Sequence, residues 1–125
     1  IVRLDGSEAE VIPVATIANL RRITVAPDGT LYAVGDNGLL LAHTADGWTK
    51  LYEEPGLFLY GVEAFDGVVH AVGWAGRIIS YDPATGTVTP SEVPESGVLL
   101  QVWGADAGHL FAVGKKGKML RFIDE

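Results

Sequence analysis

The tripeptide Ala33-Val34-Gly35 recurs in this chain as Ala71-Val72-Gly73 and as Ala112-Val113-Gly114, 38 and 41 residues further on. Another glycine follows each tripeptide after two residues, at Gly38, Gly76 and Gly117. A period of about 40 residues with strand-like content is typical of β-propeller blades. The sequence therefore predicts an all-β fold, a β-propeller segment of three four-stranded antiparallel blades.

Each repeat divides into short apolar strands separated by turn residues. In the first repeat we expect strand A at Arg22–Val25, strand B at Leu31–Val34 and strand C at Leu39–His43, with an outer strand D ending at Pro55. Two glycines flank each B–C connection, so we expect a tight hairpin in which both supply a positive φ. No helix is predicted. An alignment without gaps matches Arg22 with Tyr60 and Gln101.

The same pattern predicts the organisation of the chain. Residues 1–18 correspond to strands C and D of a preceding blade, 19–56 and 57–97 to complete blades, and 98–125 to a blade that lacks its outer strand. Three blades are too few for a ring, which usually needs about four to eight. We therefore expect a larger ring, completed either by a longer chain or by two copies joined head to tail into six blades.

Composition limits the partners. The 125 residues carry 16 acidic and 9 basic side chains, a net charge of −7. Nucleic acids and anionic membranes attract a positive field, so neither is expected as a partner. Cysteine is absent, which rules out disulfides and thiolate sites and is compatible with any compartment. No apolar run approaches the roughly 20 residues of a membrane-spanning helix.

The repeat core "AVGxxGxxL", the preceding "DG(T)L(Y/F)" turn and the following "DGW" or "DPATGT" turn resemble known propeller repeats. They are similar to repeats of the photosystem II stability/assembly factor family and of bacterial proteins with sialidase-type (BNR/Asp-box) repeats. The stretch from Thr44 to Thr49 approximates the Asp-box pattern. The resemblance implies a propeller fold and a binding or assembly scaffold, and it supplies no ligand.

The B–C turns and D–A connections are expected to form one face of the segment and to carry its binding residues. Tryptophan is unusual at the tip of a turn and is enriched at interfaces and sugar-binding sites. The first turn is acidic and the third is basic, so the two could complement each other in a head-to-tail assembly. The candidate binding residues are Asp36, Asn37, Trp74, Lys115, Lys116, Tyr60 and Gln101.

Other polar residues are interpreted as structural. Arg22, Tyr60 and Glu63 could imitate part of a sialidase site, but the Arg, Tyr, Glu and Asp set of such enzymes is incomplete, so no catalytic residue is assigned. The three histidines His43, His70 and His109 share no repeat position, which argues against a metal site. Single aspartates followed by glycine are typical of turns rather than of calcium loops. No cofactor is expected.

Together these observations predict a non-catalytic scaffold or recognition module that binds a protein partner or itself. A propeller lectin that binds glycans through Trp74 is the alternative. A fragment of a sialidase-like glycosidase is a third hypothesis.

Overall fold

A computed structural model describes residues 2–5, 8–11, 14, 16, 18–65, 67–93, 97–104 and 110–122. These residues form an all-β structure of four antiparallel sheets whose strands follow one another in chain order. A hairpin pairs β1 (Val2–Asp5) with β2 (Glu8–Val11). The prediction of an all-β chain is confirmed. The predicted boundaries after residues 18, 56 and 97 stay predictions.

Three larger sheets follow the hairpin, two of four strands and one of three. Sheet 1 contains β3 (Leu20–Val25), β4 (Leu31–Gly35), β5 (Leu40–Thr44) and β6 (Gly47–Tyr52). Sheet 2 contains β7 (Leu59–Phe65), β8 (Val68–Gly73), β9 (Arg77–Asp82) and β10 (Thr87–Glu92). Sheet 3 contains β11 (Leu99–Gly104), β12 (Leu110–Gly114) and β13 (Met119–Phe122). The described residues form no closed ring of sheets.

The first strands of the three sheets lie side by side, because β7 contacts both β3 and β4, and β11 contacts both β7 and β8. Apolar side chains fill the two spaces between sheets. Leu40, Leu59 and Ile79 are fully buried between sheets 1 and 2, and Leu99 and Val102 between sheets 2 and 3. Burying one such side chain stabilises a fold by about 1.5–3 kcal/mol, so these contacts hold the three sheets together.

The repeated tripeptides occupy matching places in the three sheets. Ala33, Ala71 and Ala112 each lie on the second strand and are at most 1% exposed. Each pairs with the first strand on one side and the third on the other. Their small side chains leave room for the larger apolar residues that fill the space between sheets.

The first glycine beside each B–C turn differs from its predicted role. Gly73 has φ −171° and Gly114 φ −147°, both extended. A Cβ at these two glycines would lie 2.0 Å from the carbonyl oxygen of Phe58 and 2.3 Å from that of Val98. A Cβ at Gly35 would lie 2.0 Å from the carbonyl oxygen of Asn19. Glycine is therefore required by the close approach of a neighbouring backbone and not by a positive φ.

Positive φ falls instead on the second half of each turn. Asn37, Ala75 and Lys116 have φ of 61°, 56° and 59°, and the glycine after each is also positive. Two of these turns, Trp74–Gly76 and Lys115–Gly117, are single 3-10 turns. The expectation that both flanking glycines supply positive φ, with no helical turn between them, was therefore wrong for the first glycine and for these two turns.

Candidate binding site at the loop end

The B–C turns and the residues that enter the first strands lie at one end of the sheets, here called the loop end. At this end the Asp36 N–H donates to the Asn19 carbonyl at 3.0 Å, and the Trp74 N–H donates to the Phe58 carbonyl at 2.9 Å. The Lys115 N–H donates to the Val98 carbonyl at 3.0 Å in sheet 3. These three hydrogen bonds show that Asp36, Trp74 and Lys115 are equivalent turn residues and that Asn19, Phe58 and Val98 are equivalent acceptors.

Every first strand contains a bulge next to this end. The pairing register shifts between Leu20 and Arg22 in β3, between Leu59 and Gly61 in β7, and between Leu99 and Gln101 in β11. A bulge leaves one residue unpaired and re-aims its side chain. The residues at the three shifts are Arg21, Tyr60 and Leu100.

This register corrects the gapless alignment. Arg22 pairs with Val34, Gly61 with Val72 and Gln101 with Val113, so these three residues are equivalent. Tyr60 corresponds to Arg21 rather than to Arg22. The predicted start of the first strand at Arg22 was also wrong, because β3 begins at Leu20 and includes Arg21.

Arg21 is held by an acidic partner across the bulge. Its Nε donates to Asp36 Oδ1 at 2.5 Å, and Asn19 Nδ2 donates to Asp36 Oδ2 at 3.1 Å. The hydrogen bond from Arg21 is the main cause that lowers the pKa of Asp36, with a smaller contribution from Asn19. Asp36 therefore remains ionised at neutral pH and fixes the position of the arginine.

Aromatic rings complete the arrangement. The Arg21 guanidinium carbon lies 5.3 Å from the centroid of Tyr60 and 6.0 Å from that of Phe58, within the range of cation–π contact. Phe58 meets Trp74 edge to face, with centroids 5.7 Å apart. Trp74 is 47% exposed. We call the set Asn19, Arg21, Asp36, Phe58, Tyr60 and Trp74 the arginine–aromatic cluster.

The cluster joins three of the seven predicted binding residues, Asp36, Tyr60 and Trp74. Asn37 is exposed beside it, and its carbonyl accepts a hydrogen bond from the Glu54 N–H at 2.8 Å. Gln101 is half-buried and its Oε1 accepts from the Val102 N–H at 3.2 Å. Lys115 and Lys116 are exposed on the turn of sheet 3.

Sequence reasoning missed Asn19, Arg21 and Phe58. Phe58 could have been found from the spacing of "FLY", because Phe58 and Tyr60 are two residues apart in an extended segment. Arg21 could not, because the bulge that re-aims it has no residue signal in this chain.

An ion pair between sheets supports the connection that carries Phe58. Arg77 of sheet 2 donates two hydrogen bonds to Glu54, at 2.7 and 2.5 Å, and the Tyr52 hydroxyl donates to Glu54 at 2.6 Å. The hydrogen bonds from Arg77 are the main cause that lowers the pKa of Glu54. The two-pronged contact fixes both the distance and the angle between the groups.

The residues interpreted as structural make local contacts. His43 lies against Trp48, with centroids 4.6 Å apart, and His70 Nδ1 lies 3.2 Å from Ser80 Oγ. Asp28 accepts a hydrogen bond from the N–H two residues ahead, as the turn interpretation expects. His109 lies outside the described residues. In the described part of the chain, no group of three or more His, Asp or Glu side chains could hold a metal ion.

A cleft lies at the opposite end, between sheets 1 and 2. This cleft has a volume of about 240 Å³, and its lining includes Tyr32, Phe65 and Asp28. Oδ1 of Asp28 already accepts a hydrogen bond from the Thr30 N–H at 2.9 Å. Ligand sites usually combine an apolar wall with several convergent polar groups, which makes the arginine–aromatic cluster the better candidate.

Comparison with models of known protein families and with curated proteins finds no match to this chain. Within the described residues, no helix has the length and apolar character needed to cross a membrane.

Proposed function

We propose that the three sheets are neighbouring blades of a β-propeller and that the chain is a non-catalytic recognition module for a protein partner. The period of the sequence and the side-by-side first strands support the propeller arrangement. Close packing near the centre supports it further, since a Cβ at Gly61 would lie 2.6 Å from the Cα of Gln101. Inner strands of propeller blades converge on a central channel.

The recognition site is the arginine–aromatic cluster, and the observation that carries the proposal is the exposed, supported Trp74. Trp74 is 47% exposed, and its ring packs against Phe58 in an edge-to-face contact. Arg21 is fixed by Asp36 and lies over Tyr60. Trp, Tyr and Arg dominate the binding energy of protein interfaces, and side chains already held in place lose less entropy on binding.

The state of the charged groups favours binding over acid–base chemistry. Both carboxylate oxygens of Asp36 accept hydrogen bonds, and its lowered pKa leaves it without a proton to donate at neutral pH. The neighbouring charge of Arg21 is balanced by the same contact. The cluster therefore offers an apolar surface with a neutralised ion pair, which suits an uncharged or mixed partner surface.

Glycan binding is the second candidate, and the exposed face of Trp74 favours it. Sugars present apolar faces that stack on tryptophan, and amide and carboxylate groups commonly bind their hydroxyls. Asn19 and Asp36 supply such groups in the same cluster.

Selection of protein ligands from a displayed library of folded domains and peptides, with affinities measured for each ligand, tests the proposal. Trp74→Ala and Arg21→Ala should each weaken binding about 30-fold or more, as expected of an interface hot spot. Arg22→Ala is the matched control, because Arg22 is exposed on β3 next to Arg21 and lies outside the cluster. Ligands that tolerate both cluster variants would contradict the proposal.

A glycan array with the same variants separates the two candidates. Glycan binding would replace protein recognition as the proposed function if two results are obtained together. The chain must bind one class of glycans through a contact that Trp74→Ala abolishes, and the library must yield no protein ligand. Absence of glycan binding would remove the lectin.

A further inference from the structure

One face of sheet 3 exposes positions that sheets 1 and 2 bury. Val113 is 41% exposed, whereas its equivalents Val34 and Val72 are fully buried. Met119 is 69% exposed, and its equivalents Leu40 and Ile78 are at most 5% exposed. In sheets 1 and 2 these positions face the next sheet of the chain. Sheet 3 therefore presents the same apolar contact surface without a sheet on it among the described residues.

The reverse face of sheet 1 has the complementary property. Ile23 of β3 is 45% exposed, whereas its equivalents Val62 and Val102 are at most 2% exposed beneath the preceding sheet. Val25, further along β3 on the same face, is 60% exposed. Sheet 1 thus has the surface that packs on a preceding sheet, and β3 leaves it open.

We propose that these two faces bind each other between copies of this chain, so that β3 of a second copy packs on β11 and β12 of the first. This is the contact already made twice within the chain, where β7 packs on β3 and β4, and β11 packs on β7 and β8. The open positions of sheet 1 are on β3, the strand that such a contact uses. Ala33 and Leu41, on the same face of the second and third strands, are already buried.

Backbone hydrogen bonds between sheets define the alignment of the copies. The Gly38 N–H of sheet 1 donates to the Leu57 carbonyl at 2.7 Å, and the Gly76 N–H of sheet 2 donates to the Gly97 carbonyl at 2.5 Å. The acceptors Leu57 and Gly97 directly precede Phe58 and Val98. Asn19 is the equivalent of Phe58 and Val98 in sheet 1, so the equivalent acceptor there is Ala18. The proposed contact extends the series with a bond from Gly117 to Ala18 of the second copy.

The interface is head to tail, because it joins two different faces. Contacts of this type close into a ring or continue as a chain of copies, depending on the rotation between neighbours. The proposal is independent of recognition at the arginine–aromatic cluster, since Ile23, Val113 and Met119 lie outside it.

Sedimentation and light scattering of the whole chain over a wide concentration range test the proposal. We expect a mass of two or more times the 13.3 kDa of one chain. Met119→Glu and Ile23→Glu should each give a folded particle of one chain's mass, because both positions are exposed in the isolated chain. Thr89→Glu, on the exposed outer strand β10, is the control and should keep the wild-type mass.

Mixing the two variants gives the decisive result. Each keeps one intact face, so a mixture of Met119→Glu and Ile23→Glu should form a heterodimer although neither variant associates alone. A wild-type chain of 13.3 kDa at every concentration would overturn the proposal. So would a mixture that stays monomeric, or association that both variants leave unchanged. Circular dichroism of each variant confirms that it is folded, and Met119→Ser or Ile23→Ser replaces a variant that is not.

Discussion

Replacing Gly73 by alanine is expected to be among the most damaging single-methyl changes in this protein. Gly73 is extended, with φ −171°, so alanine brings no backbone strain of its own. The added Cβ would lie 2.0 Å from the Phe58 carbonyl oxygen and 2.8 Å from the Leu59 Cα. Both obstacles are backbone atoms of the adjacent strand and cannot rotate away. Relief requires β7 and β8 to separate at the loop end.

The expected cost follows from these contacts. Overpacking a core by a methyl group typically costs about 1–3 kcal/mol, and rigid backbone neighbours place this case at the upper end. Separation of the strands also loses the hydrogen bond from the Trp74 N–H to the Phe58 carbonyl, worth about 1 kcal/mol. We therefore expect a loss of about 3–4 kcal/mol. At this chain length the melting temperature should fall by about 10–15 °C.

Gly86→Ala is the matched control. Gly86 has φ +73° and no heavy atom within 4 Å of the place that an added methyl group would occupy, so alanine meets only the left-handed backbone penalty, about 1–2 kcal/mol. Urea unfolding of both variants measures the two costs under the same conditions. If Gly73→Ala is no more destabilising than Gly86→Ala, the close approach of the two backbones is wrong as an account of this glycine.

Three further outcomes are expected from urea unfolding. The pKa of Glu54 is lowered chiefly by Arg77, so the stability from this pair is present above the unfolded value of 4.5 and is lost as the pH falls through the folded pKa. Glu54→Gln should therefore flatten the dependence of the unfolding free energy on pH over this acidic range. An unchanged pH dependence would contradict a stabilising role for the Glu54–Arg77 pair. Burial lowers the pKa of His70 in the folded chain. Below the unfolded pKa of 6.5 the unfolded chain therefore binds more protons than the folded chain, and stability falls on acidification. His70→Gln should remove this dependence of stability on pH, and a dependence that persists in the variant would assign it to other groups. Ile79→Ala, at a fully buried site, should cost about 2–5 kcal/mol. A cost equal to that of Leu100→Ala, at a site that is 37% exposed, would contradict the packing of sheets 1 and 2.

The strands could be predicted from the sequence because their signals are local. Alternating apolar residues and turn glycines place the second strand of sheet 1 at Leu31–Val34, and β4 spans Leu31–Gly35. The repeated tripeptide predicted three equivalent units, and Ala33, Ala71 and Ala112 are buried at equivalent positions of the three sheets. The sequence predicted that similar sheets repeat along the chain. It could not predict how the sheets are arranged in space, because no local pattern specifies a ring.

The binding cluster could be predicted only in part, because a bulge changes which residue faces the site. A gapless alignment assigns Tyr60 the role of Arg22, whereas the register pairs Gly61 with Val72 and leaves Tyr60 at the bulge. The gapless alignment is wrong by one residue here because the connection between the first two strands is shorter in sheet 2, where Phe65 pairs directly with Val68. A one-residue difference in a turn thus makes Tyr60 equivalent to Arg21 and not to Arg22.

The three sheets separate the positions that build the scaffold from those that can carry recognition. The buried alanine and the extended glycine have the same packing role in each sheet. The pre-strand, bulge and turn positions differ in every sheet. They are polar and charged in sheet 1 (Asn19, Arg21, Asp36), aromatic in sheet 2 (Phe58, Tyr60, Trp74) and aliphatic and basic in sheet 3 (Val98, Leu100, Lys115). The bulge places these side chains at the loop end, outside the packed spaces between sheets, so their chemistry can vary without a cost to the core. Substitutions at the six of these positions that form the arginine–aromatic cluster should therefore alter binding, and substitutions of the alanines and glycines should alter stability.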